Sequence, residues 1–129
     1  MKYTLDKHNQ FTIFKIEEEK LNSLIAPELK TELVLLNNAG QCNIILNMSS
    51  VNFIDSSGLS AILVGDRTCI SFGGILILTD INENVMRLMR ISQLDSILNI
   101  IPTLQQSIDY IIMDKLDKEL RGNGHQSDE

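Results

Sequence analysis

Five consecutive residues, Asp55-Ser56-Ser57-Gly58-Leu59, combine a carboxylate, two hydroxyls and a glycine at the entry to a segment of helical periodicity. All four polar or flexible residues favour turns and helix caps. Asp55 can accept hydrogen bonds from the first free N–H groups of the helix, and Gly58 removes a side chain where another molecule could approach the backbone. A serine in such a turn is accessible to modification. A phosphoryl group on Ser57 would carry roughly −1.5 to −2 charges and three acceptor oxygens near a helix end that favours anions, while repelling carboxylates across a close protein contact. The same residues also read as a helix cap and nothing more, which requires no partner.

Other chemistries fit less well. A serine at a strand-to-helix turn resembles a hydrolase nucleophile elbow, but Asp55 stands where that motif has its first glycine, and His8 and His125 lie in an early turn and a polar tail. Nothing matches a phosphate-cradling loop, so no cofactor is assigned. Cys42 and Cys69 sit inside apolar stretches rather than in a paired motif, which argues for buried, inert thiols and against a metal site or disulfide.

The elements that position the turn follow from periodicity. Tyr3-Thr4-Leu5 and Phe11 to Ile16, separated by Asp6 to Asn9, read as a hairpin. Asn22 or Ser23 is expected to cap a helix that tolerates Pro27 near its first turn, carries Ala26, Leu29, Leu33 and Leu36 as a stripe, and ends at Asn38-Ala39-Gly40. Cys42 to Met48 and Ile75 to Leu78 are apolar runs suited to buried strands. Between them a helix from Ser57 to about Ser71 carries Leu59, Ile62, Leu63 and Ile70, and Phe72-Gly73-Gly74 breaks it. A third helix follows Asn82 with Val85, Leu88 and Met89 on one side. A short strand, Leu98 to Ile101, leads to Pro102 and a last helix whose apolar stripe is Leu104, Ile108, Ile111, Ile112, Leu116 and Leu120. The expected architecture is α/β, a mixed, largely parallel sheet of about five strands with an initial antiparallel hairpin and about four helices.

Length is consistent with one domain over residues 1–120 and a flexible polar tail over 121–129. Eleven basic residues against seventeen acidic ones, a net charge of −6 and no Trp oppose binding to nucleic acid or an anionic membrane. No apolar run approaches the roughly 20 residues of a membrane span, and the amino terminus lacks the apolar stretch of a secretory signal, so a cytoplasmic location without direct membrane insertion is expected.

From Tyr3 to Leu116 the chain resembles the STAS family, the sulfate-transporter and anti-sigma-factor-antagonist domain. The resemblance lies in Lys20-Leu21-Asn22, Ala26-Pro27-Glu28-Leu29, Ile44 to Met48, Phe53 to Leu59, Gly73-Gly74, and Leu88 to Leu94, in that order and spacing. It implies the SpoIIAA-like fold and, in stand-alone bacterial members, an anti-sigma factor antagonist rather than an enzyme. The serine before the glycine is then the phosphate acceptor of an anti-sigma factor with serine kinase activity, which carries that role to Ser57, with Ser56 as the neighbouring alternative. A serine phosphatase would restore the binding form. The implied docking surface comprises Asn22, Asp55, Ser56, Ser57, Gly58, Leu59 and Ser60. Asn22 stands where many family members carry aspartate, keeping a capping oxygen without the charge. The competing reading is an interaction module in another signalling or transport assembly, never phosphorylated.

Overall fold

The computed structural model describes the backbone of residues 1–127 and the side chains of residues 1–122. Strands β1 (Tyr3–Lys7) and β2 (Thr12–Ile16) form the expected antiparallel hairpin. Next come β3 (Lys20–Leu21), α1 (Ala26–Asn38), β4 (Asn43–Asn47), β5 (Phe53–Ile54) and α2 (Ser56–Ser71). The chain continues through β6 (Ile75–Thr79), α3 (Glu83–Ile91), a 3-10 turn (Leu94–Ser96), β7 (Asn99–Ile101) and α4 (Leu104–Ser127). The main sheet has the order β1-β2-β4-β6-β7, and every pairing after the hairpin is parallel. A separate two-stranded parallel sheet joins β3 to β5.

Alternation along the strands separates two cores. In β4 and β6, Ile44, Leu46, Leu76 and Leu78 point to one face, where they pack with Leu29 and Leu33 of α1, Ile62 of α2 and Met89 of α3. Ile45 and Ile77 point to the other face, against Phe11 and Ile111 of α4. Three helices thus cover one side and one helix the other, which is why the two central strands read as unbroken apolar runs. Gly74 enters β6 so close to Cys42 that an added Cβ would lie 2.0 Å from its carbonyl oxygen.

The stripe of α4 holds as far as Ile111, but Ile112, Leu116 and Leu120 are exposed. A 24-residue helix is about 36 Å long, and strands of three to five residues span less than half of that, so the carboxyl half overhangs the sheet. The backbone stays helical through Ser127, and most of the tail expected at 121–129 lies outside the residues with described side chains. Cys69 is buried and burial pushes its thiol up to about 11, whereas Cys42 is only half-buried. Among the described residues no helix is long and apolar enough to cross a membrane.

The α1–α2 seam holds a polar cluster. The Asn37 amide donates to Leu33 O at 2.8 Å and to Cys69 Sγ at 3.4 Å. Its Oδ1 and the buried Oδ1 of Asp66 find no partner among the described residues. Burial raises the Asp66 carboxyl above its ordinary value, opposed by the neighbouring Arg67 charge. Stability attached to a raised carboxyl is present below the unfolded value near pH 4 and declines as pH rises through the folded value. Asp66→Asn is therefore expected to stabilise the fold by about 1 kcal/mol at pH 7 and by nothing measurable at pH 3.5. Thermal melts at the two pH values check this; an equal gain at both would assign it to packing instead of ionisation.

Candidate functional site

The site is assembled by the small sheet. Pairing of Leu21 with Ile54 places the next residues, Asn22 and Asp55, side by side. The Asp55 N–H donates to Leu21 O at 3.2 Å, and the Asn52 and Phe53 N–H groups both donate to Glu19 O, at 2.8 and 3.1 Å. On the far side Asn82, which caps α3 by accepting from Val85 N–H at 3.0 Å, donates to Val51 O at 2.6 Å and to Asn52 Oδ1 at 2.8 Å. The segment leading into the serine turn is thus fixed by main-chain bonds to β3 and by one bracketing amide from α3.

Asp55 caps α2 as its residue type suggests. Its backbone is extended, and its Oδ1 accepts from Gly58 N–H at 3.0 Å. Ser56 and Ser60 are exposed, Ser57 is half-buried, and Gly58 and Leu59 are buried. Gly58 therefore serves a purpose other than the expected one. A Cβ there would lie 2.5 Å from Leu21 O, 2.7 Å from Ile54 Cγ1 and 2.9 Å from Leu21 Cγ. The close approach that demands glycine is internal, between α2 and β3. Leu59 likewise packs in the core, so the side chains of the expected docking set that face outward are those of Asn22, Asp55, Ser56, Ser57 and Ser60.

Neither Asn22 nor Ser23 caps α1. The cap position is Ile25, without a side-chain hydrogen bond, and Pro27 occupies the second helical position. Proline has no N–H to satisfy, which removes one donor that a cap would serve. The Asn22 side chain instead accepts from Leu24 N–H at 3.1 Å, and its carbonyl accepts from Ile25 and Ala26 at 3.1 and 2.8 Å. This turn leaves Leu24 almost fully exposed, at 88%.

Between the first turns of α1 and α2 lies an open depression of about 310 Å³, lined by Ser56, Ser57 and Ser60 from α2, by Ala26, Pro27 and Lys30 from α1, and by Ser23. Sequence periodicity drew attention to the apolar stripe of α1 and passed over Lys30, which stands one turn beyond Ala26. Its relevance appears only when the two helices are packed together. Leu24, in the turn after Asn22, and Phe53, in β5 ahead of Asp55, are apolar side chains open to solvent.

His8 is far from this region. It stacks on Phe11 with ring centroids 4.5 Å apart and contacts Asp6 Oδ2 at 3.0 Å in the β1–β2 turn, at the amino end of β2, whereas the serines follow the carboxyl end of β5. It cannot act as a base for Ser57. His125 lies outside the residues with described side chains.

Comparison with known proteins agrees with this architecture. A family model described as the STAS domain matches residues 2–107. TM1081 of Thermotoga maritima, a proposed anti-sigma factor antagonist, is 26% identical, with a TM-score of 0.75 over 84% of this chain and 93% of that chain. The phosphorylated form of SpoIIAA, a cell fate determinant of Bacillus, is 19% identical, with a TM-score of 0.66 over 85% of this chain and 99% of that chain. A serine-to-glutamate variant of Moorella thermoacetica RsbS is 17% identical, with a TM-score of 0.72 over 92% and 99% of the two chains. With a family match that spans most of its length and the mixed sheet, antiparallel hairpin and four helices of that fold, the chain belongs to the STAS domain family.

Proposed function

We propose that this protein is a cytoplasmic anti-sigma factor antagonist, not itself an enzyme. Unmodified, it binds an anti-sigma factor and frees a sigma factor for transcription; phosphorylation of Ser57 ends that binding. The observation that carries the reading is the half-buried Ser57 in the turn capped by Asp55, which the β3–β5 register sets beside Asn22, with Leu24 and Phe53 exposed in the segments around β3 and β5. Exposed apolar side chains around a polar centre supply the desolvated contacts on which protein interfaces depend.

In the transfer, Ser57 Oγ forms a bond to the γ-phosphorus of ATP while the bond from that phosphorus to the β,γ-bridging oxygen breaks. ADP leaves, and the hydroxyl proton passes to a base of the kinase. ATP and its metal ion belong to the kinase partner. A serine phosphatase reverses the modification by adding water across the phosphoester, returning the hydroxyl and inorganic phosphate.

The test is to add the purified protein to a preassembled complex of sigma factor and kinase-type anti-sigma factor from the same genome and separate the products by size. Release of the sigma factor with ADP, loss of release after incubation with ATP, and retention of release by Ser57→Ala are expected. Failure to displace the sigma factor in every nucleotide condition would contradict the reading.

A further inference from the structure

The depression beside Ser57 has an uneven chemistry. Four of its lining residues are serines, and among the described residues Lys30 is its only charged side chain and no carboxylate lines it. Among the described residues Lys30 forms no ion pair, and the nearby Asp55 carboxylate, outside the lining, accepts from Gly58 N–H through Oδ1 at 3.0 Å. In a chain with net charge −6, a solitary cation facing hydroxyls is well suited to an anion that arrives after folding.

We propose that Lys30 is the internal counter-ion of the phosphoryl group on Ser57, with the hydroxyls of Ser23, Ser56 and Ser60 as further donors to its oxygens. This inference rests on Ser57 as the modified residue. A lysine ammonium on a flexible four-carbon stem is a point charge that can follow the phosphate without demanding bidentate geometry. The phosphoryl group has three acceptor oxygens, more than the single ammonium can satisfy, and the three hydroxyls share the same hollow.

Two consequences follow for the modified state. The depression changes from a net positive charge to a net negative one of about −0.5 to −1, because the phosphoryl charge exceeds the single lysine charge. The phosphate is also drawn inward between α1 and α2, so that modification alters the docking face without opening the helix seam. Lys30 thereby makes the modified domain as well folded as the unmodified one, and the exit from partner binding becomes a change of surface charge.

The test uses the full chain with phosphoserine incorporated during translation at position 57, followed by 31P NMR titration. The second ionisation of phosphoserine, near pH 6 when unperturbed, is expected to fall by about half a unit, to return towards 6 in Lys30→Gln, and to stay low in Lys30→Arg. Lys20→Gln, an exposed lysine outside the depression, is expected to leave the midpoint where the parent protein has it. Lys30 is itself exposed, and circular dichroism of each variant confirms that the fold is retained. Identical midpoints with and without the Lys30 charge, or an equal displacement by Lys20→Gln, would overturn the assignment. The readout requires no binding partner. A lowered, Lys30-dependent midpoint in a protein whose phosphorylation leaves partner binding intact would support the counter-ion and reject the switch.

Discussion

Ser57→Asp is expected to bind the kinase-type partner about 30- to 100-fold more weakly than Ser57→Ala, with the two variants equally stable. The comparison isolates charge. Both substitutions remove the hydroxyl and so both prevent phosphorylation, but alanine adds no charge and less volume. Ser57 is half-buried in the hollow between α1 and α2, so a partner seated over that hollow must strip water from position 57. A carboxylate stripped of water in such a contact, with only Lys30 on its inner side to offset it, costs about 2–3 kcal/mol, which corresponds to the stated loss. Stability should be preserved because Ser57 is in the first turn of α2, where a negative side chain is tolerated by the helix dipole. Isothermal titration calorimetry of both variants decides the point, and equal affinities would remove the charge-switch mechanism.

Gly58→Ala should lower stability by about 3 kcal/mol and the melting temperature by on the order of 10 °C. Helix propensity alone argues the other way, since alanine within a helix is favoured over glycine by about 1 kcal/mol. The contacts decide against propensity. The new Cβ would lie 2.5 Å from Leu21 O, and that oxygen already accepts the Asp55 N–H. A main-chain atom cannot rotate aside, so relief requires α2 to move away from β3, and the two-residue pairing of β3 with β5 is lost first. Partner binding should fall with it, because the same pairing holds Asn22 beside Asp55. Gly122→Ala, with nothing within 4 Å of the added Cβ, is the matching control and should leave the melting temperature unchanged or slightly raised. A Gly58→Ala protein that melts with the parent would contradict the packing described.

The contrast between these two positions shows what could be seen from the amino acids. Central strands were legible because burial on both faces writes an unbroken apolar run, as in Ile44 to Leu46 and Leu76 to Leu78. The capping role of Asp55 was legible because it is local, needing only an N–H three residues away. The internal role of Gly58 is invisible in the local sequence, since the atom that excludes a side chain there belongs to Leu21, 37 positions earlier. The strands β3 and β5, two residues each, are too short to carry a period and exist only because they pair. The start of α1 lies later than its residue types suggest, because Asn22 is a good capping residue that here completes a turn ahead of a proline-bearing helix. The end of α4 misled in the opposite sense, its apolar spacing continuing beyond the sheet that covers its first half. Lys30 gave no signal, because an exposed helical lysine acquires a role only from the serines of a second helix.

Phosphate localisation is the most direct measurement of the central claim. The parent protein, Ser56→Ala and Ser57→Ala are incubated with the partner kinase and ATP, and the modified residue is identified by tandem mass spectrometry. The expected result is one phosphoryl group, on Ser57, in the parent and in Ser56→Ala, and none in Ser57→Ala. Phosphate on Ser56, or undiminished phosphorylation of Ser57→Ala, would contradict it.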